Sequence, residues 1–461
     1  METVVINTQE NIENKSKKTN GKKLTPPRVL VLGFLIIICL GAIMLMLPQA
    51  TIDGQGLPVL DAFFTATSAV CVTGLVVVDT GTFFTIFGQL VILLLIQVGG
   101  IGFMTFAAIF AIFLGRKISF KERLMLQNAL NQFSLEGIVR LVKYIIKISF
   151  AIEGLGALAL AFRWRVELGW AKAIYYGAFH SVSGFNNAGF DLLGNHNSLT
   201  SYQGDIFINV IMMFLVVTGG LGFAVLSDFY TFKGKKLSLH SILVIKCSLV
   251  LIVGGAAAIY LLELFNPATL GGMSSGSKVL AALFQSISSR TAGFNTIDIS
   301  GLKDATKLII AFLMFIGASP GSTGGGIKTT TFLVIVLSVF HTFKGDSPVE
   351  IRERTIPKDI IHRALSIMFM ASLLIAVVTL LLTITEKGDF LSLFFETVSA
   401  FGTVGLSTGI TPFLSSVGKI AIICTMFSGR VGLLTLAFAL SHKRNISRTH
   451  IKYPEERIII G

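Results

Sequence analysis

The sequence predicts an all-α polytopic membrane protein of four pseudo-symmetric repeats. Each repeat is a span, a half-helix, a re-entrant turn and a second span, giving eight transmembrane helices and four re-entrant loops. Three observations carry this reading. Only 14% of the 461 residues are charged and 53% are hydrophobic, whereas soluble domains carry roughly a quarter charged residues. Apolar windows recur at Val29–Leu47, Phe84–Phe113, Ile145–Phe162, Ile206–Leu226, Leu243–Leu264 and Ile367–Thr383, each long enough to cross about 30 Å of hydrocarbon. A small-residue turn recurs four times, as SAVCVTGLVVVDTG (68–81), SGFNNAGFDLLG (183–194), SSRTAGFNTIDIS (288–300) and SAFGTVGLSTG (399–409). Its markers Gly74, Gly189, Gly293 and Gly405 stand about 110 residues apart, as four copies of one unit should.

The chain divides accordingly. Residues 1–24 form a basic, apolar-poor tail, read as cytoplasmic and disordered, and no signal peptide is evident ahead of the first span. Repeats follow at 25–115, 116–232, 233–345 and 346–441, with a cytoplasmic tail at 442–461. The runs before the turns, DAFFTATSAV, AIYYGAFHSVS, VLAALFQSISS and FLSLFFETVSA, are amphipathic but too short to span, so they predict re-entrant half-helices. After the turns, QVGGIGFMTF (97–106), VTGGLGFAVL (217–226) and FSGRVGLLTL (427–436) match one another. The third copy instead reads GASPGSTGGGIKTTT (317–331). Pro320 with Gly321, Gly324, Gly325 and Gly326 removes helical stability there, so the third inner helix is expected to be broken at its middle.

Charge sets orientation. The net charge of +13 is gathered in the tail, Arg116–Arg123, Lys233–Lys236, Arg352–Arg363 and His442–Arg448, with connections poorer in Lys and Arg between them. That is the positive-inside pattern, with both termini in the cytoplasm, and it leaves no nucleic-acid partner to invoke. The four cysteines, Cys39, Cys71, Cys247 and Cys424, lie in apolar stretches without metal-ligand spacing, so neither disulfides nor zinc are implied.

Non-helical backbone at membrane depth survives only where protein or a water-filled cavity satisfies it. Four such turns around one axis would converge their carbonyl oxygens on a single pore, the way a cation filter replaces a hydration shell. Glycine permits the backbone angles that put successive carbonyls on one side.

The motifs VTGL, NAGF, TAGFN and TVGL after half-helices, with GASPGSTGGGIKTTT and SGRVGLLT, resemble those of the Trk/Ktr/HKT superfamily of potassium transporters. The resemblance runs from about Leu24 to Gly461. With no extra hairpin before the first span, it is nearer the KtrB type than the longer TrkH type. It implies potassium uptake in the bacterial plasma membrane through a filter with one glycine per repeat. It also implies a homodimer on a cytoplasmic ring of RCK (KTN) subunits, nucleotide being held by the ring and no cofactor by this chain. The closing IKYPEERIIIG is similar to tails that take part in dimerisation in that family.

Carried onto this sequence, the filter is Cys71, Val72, Thr73 and Gly74; Asn187, Ala188 and Gly189; Thr291, Ala292 and Gly293; and Thr403, Val404 and Gly405. K⁺ would bind at backbone carbonyls, with hydroxyls of Thr73, Thr291 or Thr403 as helpers. No strand has the longer TVGYG, so K⁺/Na⁺ discrimination is expected to be weaker than in tetrameric channels. In related transporters serine at the first-repeat glycine leans towards sodium, so Gly74 favours potassium. Asp79, Asp191 and Asp298 follow three of the turns, and either form an anionic outer vestibule or tie down loop backbone. Glu153 in an apolar span is read as structural, bracing the filter. Arg290 is expected to ion-pair behind the filter, with Glu396 a candidate partner, and His180 to be a packed residue.

The gate is assigned to Pro320, Gly321, Gly324, Gly325, Gly326, Lys328 and Arg430. Arg430 replaces a small residue of the fourth inner helix and is read as a barrier at the inner exit. Lys328 either opposes cation passage or tethers the loop. A P-loop ATPase is the nearest enzyme reading, but Ile327 separates Gly326 from Lys328 and no strand precedes the loop. No HExxH or nucleophile elbow appears, so the chain is read as a non-enzyme. A sodium-coupled symporter, or a less selective K⁺/Na⁺ transporter, is the main rival, because transporters also place sites at broken helices. A scaffold or receptor has no ligand-binding domain to support it.

Overall fold

The computed structural model describes residues 25–102, 104–106, 108, 118, 120–129, 138–230, 237–345 and 349–440. The two terminal tails and the Lys233–Lys236 cluster lie outside these residues. Four helices are long and apolar enough to cross a membrane, Pro26–Leu45, Ile138–Phe185, Leu239–Glu263 and Lys358–Thr385, and two bent pairs bring the number to six. A short antiparallel pair, Glu350–Ile351 with Arg354–Thr355, is the one strand pairing among the described residues.

The fourfold plan repeats in the helix order. The long outer helices lead into half-helices Val59–Cys71, Ser275–Ser288 and Phe390–Gly402. In the second copy, outer and half-helix run together as Ile138–Phe185, broken only at Gly169, whose φ of 73° is not helical. Inner helices Ile86–Ile101, Ile206–Leu221 and Ser416–Val431 follow, and the third copy has Asp304–Phe315 and Thr329–Lys344.

Packing closes these copies into a ring. Each inner helix lies against the half-helix of the next copy: first on second, second on third, third on fourth, and fourth back on the first. Lys419 and Asp61 seal the last junction with a 2.6 Å ion pair. Within the fourth copy, Glu386 at the outer-helix end accepts from the Ser415 N–H at 2.9 Å and from its hydroxyl. Burial pushes that carboxyl up, but hydrogen bonds from Ser415, Thr385 and Gly418 together hold it below its ordinary value. The outward faces are apolar, with Leu158, Leu261, Phe369 and Leu380 well exposed, while Ser, Thr and Asn side chains are buried along the axis. A protein solvated by lipid inverts the usual pattern in this way.

The inner helices correct the sequence expectation. The third is broken as predicted, but the other three also end, each at one glycine: Gly102, Gly222 and Gly432, with φ of 87°, 94° and 88°. After Gly222 and Gly432 the chain turns by 99° and 98° into Phe223–Tyr230 and Leu433–Leu440. The windows Phe84–Phe113 and Ile206–Leu226 therefore do not each form one straight span. Hydropathy does not sense a bend that needs only one residue of positive φ.

Candidate functional site

All four turns adopt one backbone course. Val72, Asn187, Thr291 and Thr403 have φ of 57°, 57°, 77° and 48°, and the glycines two residues later have φ of 87°, 72°, 79° and 95°. A left-handed residue, an ordinary one, then a left-handed glycine swings successive carbonyls to one side, which plain extended strand does not do. By this register Cys71 is the last residue of its half-helix, and the strand proper starts at Val72. Thr73 aligns with Ala188, Ala292 and Val404, and its buried hydroxyl has no protein partner.

The strands meet in cyclic order. A Cβ placed on Gly74 would lie 2.5 Å from Ala188 O, on Gly189 2.9 Å from Ala292 O, on Gly293 2.3 Å from Val404 O, and on Gly405 2.2 Å from Thr73 O. Each glycine thus faces the middle carbonyl of the neighbouring strand, and the fourth strand returns to the first.

Serines at the half-helix ends hold the strands. Ser68 O accepts from Thr73 N–H at 2.8 Å and its hydroxyl accepts from Gly74 N–H at 3.1 Å. Ser399 does the same for Val404, at 2.9 Å, and Gly405, at 3.1 Å. Ser183 O accepts from Ala188 N–H, and its hydroxyl donates to Phe190 O at 2.6 Å; Ser288 likewise donates to Phe294 O. Behind the half-helices, Gly99, Gly219 and Gly429 let inner helices touch backbone, since a Cβ there would come within 2.0, 1.8 and 1.9 Å of Val70, Phe185 and Phe401 carbonyls. These serines lie in the four turn sequences, and Gly99, Gly219 and Gly429 in the matching runs QVGGIGFMTF, VTGGLGFAVL and FSGRVGLLTL, where sequence alone assigned neither role.

Charged groups sort by position. Asp79, Asp191 and Asp298 line one cavity of about 380 Å³ with all four marker glycines. Each also ties down loop backbone: Asp79 accepts from Gly81, Asp191 from Leu193 at 3.0 Å, and Asp298 from Ser300 at 2.9 Å. Glu153 accepts from Gln97 at 3.0 Å and Asn186 at 3.0 Å, linking the first inner helix to the residue beside the second strand. His180 is packed against Trp164 and Phe179, with Nδ1 2.8 Å from Tyr176 O.

Arg290 does not pair with Glu396. It reaches Ser248 on the outer helix of its own copy, at 3.2 Å to the hydroxyl, and has no carboxylate partner among the described residues. Glu396 instead accepts from Thr411. The two half-helices present these side chains to different neighbours, which their positions in sequence did not reveal.

On the opposite side of the ring, a cavity of about 300 Å³ is lined by Gly100, Gly324, Gly326, Lys328 and Arg430 among others. The loop at 316–328 crosses it. Ser319 and Thr323 N–H groups donate to Gly220 and Gly219 carbonyls at 3.1 and 3.4 Å, and Phe223 N–H donates to Gly321 O at 2.8 Å. Gly321 and Gly326 have φ of 64° and 68°. Pro320 lies at the first bend, where its carbonyl would meet a Cβ on Gly222 at 2.6 Å. Lys328 Nζ donates to Gly324 O at 2.7 Å, the tethering alternative. Arg430 donates to Thr323 O in the loop, and to Gly99 O and Gly100 O in the first copy. One guanidinium thus links three copies.

The chain matches the TrkH family, described as cation transport protein, over residues 13–448. It is 43% identical over 448 residues to the Ktr system potassium uptake protein B of Bacillus subtilis (strain 168), across 97% of this chain and 99% of that protein. It is 39% identical over 450 residues to the potassium/sodium uptake protein NtpJ of Enterococcus hirae, across 96% and 99%. The crystal structure of the potassium transporter TrkH from Vibrio parahaemolyticus shares the fold with a TM-score of 0.74 at 19% identity, over 92% of this chain and 86% of that one. The chain therefore belongs to the TrkH family of cation transport proteins as a KtrB-type member, an ion transporter and not an enzyme.

Proposed function

We propose that the chain carries potassium into the cell across the bacterial plasma membrane, through the ring of four glycine turns as selectivity filter. The observation that carries this is the closed cyclic contact of Gly74, Gly189, Gly293 and Gly405 with the neighbouring middle carbonyls. Those carbonyls take the place of a hydration shell. The four half-helices end at this ring, and helix C-termini carry partial negative charge that favours a cation. Asp79, Asp191 and Asp298 raise the cation concentration on the outer side.

The loop of Pro320, Gly321, Gly324, Gly325, Gly326 and Lys328, latched by Arg430, is the gate. A cytoplasmic nucleotide-binding RCK ring moves it aside, and two copies of the chain sit on that ring as a homodimer, termini inward. The repeat boundaries belong to the same proposal: 25–115, 116–232, 233–345 and 346–441. The relatives' names, a Ktr system and potassium uptake, support this reading. The potassium/sodium name of the second relative favours the alternative of a less selective or sodium-coupled transporter.

The test is potassium-limited growth of an uptake-deficient bacterium expressing this chain, with and without an RCK subunit. Rescue that needs the subunit is expected, and no rescue in either case refutes the potassium assignment. Reversal potentials under opposed K⁺ and Na⁺ gradients separate the alternative: tracking the K⁺ gradient alone excludes obligatory coupling.

A further inference from the structure

The outer cavity takes an aspartate from three copies and none from the fourth. Asp79, Asp191 and Asp298 follow their marker glycines, and each accepts from an N–H of its own loop. The fourth copy reads LSTGITPFLSS from Leu406 to Ser416, without an acidic residue. Its loop is nonetheless held by a carboxylate. Glu396, in the fourth half-helix, accepts from the Thr411 hydroxyl, which lies 3.0 Å from Ser407 Oγ. Ser407, Thr408 and Thr411 line the cavity beside Gly405, so one threonine separates the carboxylate from that space. Nine residues before their glycines, the other half-helices carry Thr65, His180 and Phe284. The acid stands in the one copy whose loop lacks it.

Glu396 is fully buried. It forms no ion pair among the described residues, and its Oε2 has no protein partner. A buried carboxylate is costly unless a counter-charge compensates it. We propose that Glu396 is the fourth copy's contribution to cation capture, an ionised carboxylate screened by Thr411 whose counter-charge is the potassium ion in the outer cavity. This deepens the pore reading and rests on it. A buried charge is weakened by salt less than an exposed one, so its field persists where that of a solvated loop carboxylate fades. An ion in the cavity is then attracted from all four copies. Thr411 keeps the carboxylate from ligating the ion directly, and a weak hold lets the ion pass on to the filter. Glu396 thus lowers the potassium concentration needed for half-maximal uptake without touching the ion at the carbonyl ring.

Charge and hydrogen bond are separable by substitution. Glu396→Gln keeps an acceptor for Thr411 and removes the charge, whereas Glu396→Asp keeps the charge and draws it back from Thr411. Initial potassium uptake, traced with ⁸⁶Rb⁺, is measured over a range of external potassium. The cells are uptake-deficient and co-express the chain and an RCK subunit, with membrane amounts matched by immunoblot. In Glu396→Gln the KM should rise about fivefold at an unchanged maximal rate, the order of one unit charge acting across partly solvated protein. Glu396→Asp should keep a near-native KM. A role confined to holding the loop predicts the reverse order, with Gln near native and Asp impaired. A native KM in Glu396→Gln overturns the proposal, as does a folded Glu396→Asp no better than the Gln variant. Should Glu396→Asp not reach the membrane, Thr408→Asp added to Glu396→Gln returns a charge to the cavity wall. The Thr408 hydroxyl has no protein partner to lose. This double variant should restore the KM, and a folded one that leaves it raised also overturns the proposal. Failure of the potassium reading shows differently, as no uptake by the native chain with its subunit.

Discussion

Arg430 is the residue at which a charge barrier and a mechanical latch can be told apart. Its guanidinium donates to Thr323 O in the loop and to two carbonyls of the first inner helix. Hydrogen bonds from a charged donor contribute about 1.5–3 kcal/mol each. Only the Thr323 bond ties the loop, so its loss shifts the seated-to-withdrawn ratio by roughly 10- to 150-fold. A pure barrier predicts that Arg430→Lys, which keeps the charge, behaves as the native chain while Arg430→Gln conducts freely. A latch predicts that both conduct more without the partner, because an ammonium is a point donor that cannot span three carbonyls on two elements. The assay is ⁸⁶Rb⁺ uptake into proteoliposomes of the chain alone. Flux from folded Arg430→Lys at the native level refutes the latch. Native flux from folded Arg430→Gln refutes both roles.

The alanine series over the four glycines should be graded. Gly405→Ala, 2.2 Å from a carbonyl at φ 95°, is expected to abolish uptake, and Gly189→Ala, with 2.9 Å to yield, to retain the most; equal losses at both would contradict the ring geometry. Deleting Ser322–Gly326 should give partner-independent conduction, and a folded deletion that still needs the partner ends the gate idea. Glu153→Leu removes the acceptor of the Gln97 amide and one of three acceptors of the Asn186 amide. Leaving a buried donor unmatched costs about 1–3 kcal/mol, so the melting temperature in detergent should fall, less for Glu153→Gln; an unchanged melt for the leucine variant disproves the bracing role.

The membrane class, the fourfold unit and the turns were legible because each is written in periodic apolar length and in repeated small residues. Turns with φ above zero leave a mark, since glycine is selected at them. The breaks at Gly102, Gly222 and Gly432 left the same mark but stood inside apolar runs, where a glycine also serves close helix packing, as Gly99, Gly219 and Gly429 do. Two roles for one residue type in one motif made the bend unreadable. Partners of buried charges failed for another reason. Arg290 and Glu396 each depend on which neighbour their half-helix faces, and that is fixed by the cyclic order of packing rather than by local sequence. A paired Glu153 could be expected from its position in an apolar span alone, although its partners Gln97 and Asn186 could not.

All four inner elements end near one level, and this supports the proposal that the third break is a gate. In the second and fourth copies one glycine turns the chain aside by 99° and 98°, and in the first the helix ends at Gly102. In the third the break is lengthened to residues 316–328, and the extra backbone lines the cavity beneath the ring. Four such loops could not share that space, so the ring must be asymmetric to be closed. The asymmetry also fixes how it opens. Ser319, Gly321 and Thr323 are bonded to backbone of the second copy, whereas the stretch from Gly324 to Lys328 is held by a bond to a strand side chain, at Thr403, by its own Lys328 tether and by the bridge of Ile327 to Ile316 within the loop. The positive-φ glycines Gly321 and Gly326 bracket residues 322–325. On the gate reading, releasing Thr323 from Arg430 and Gly219, Gly324 from Lys328 and Gly325 from Thr403 lets the residues between Gly321 and Gly326 move, while Ser319 and Gly321 stay with the second copy. On that proposal the gate is a short hinged piece whose movement leaves the helices that hold the ring in place.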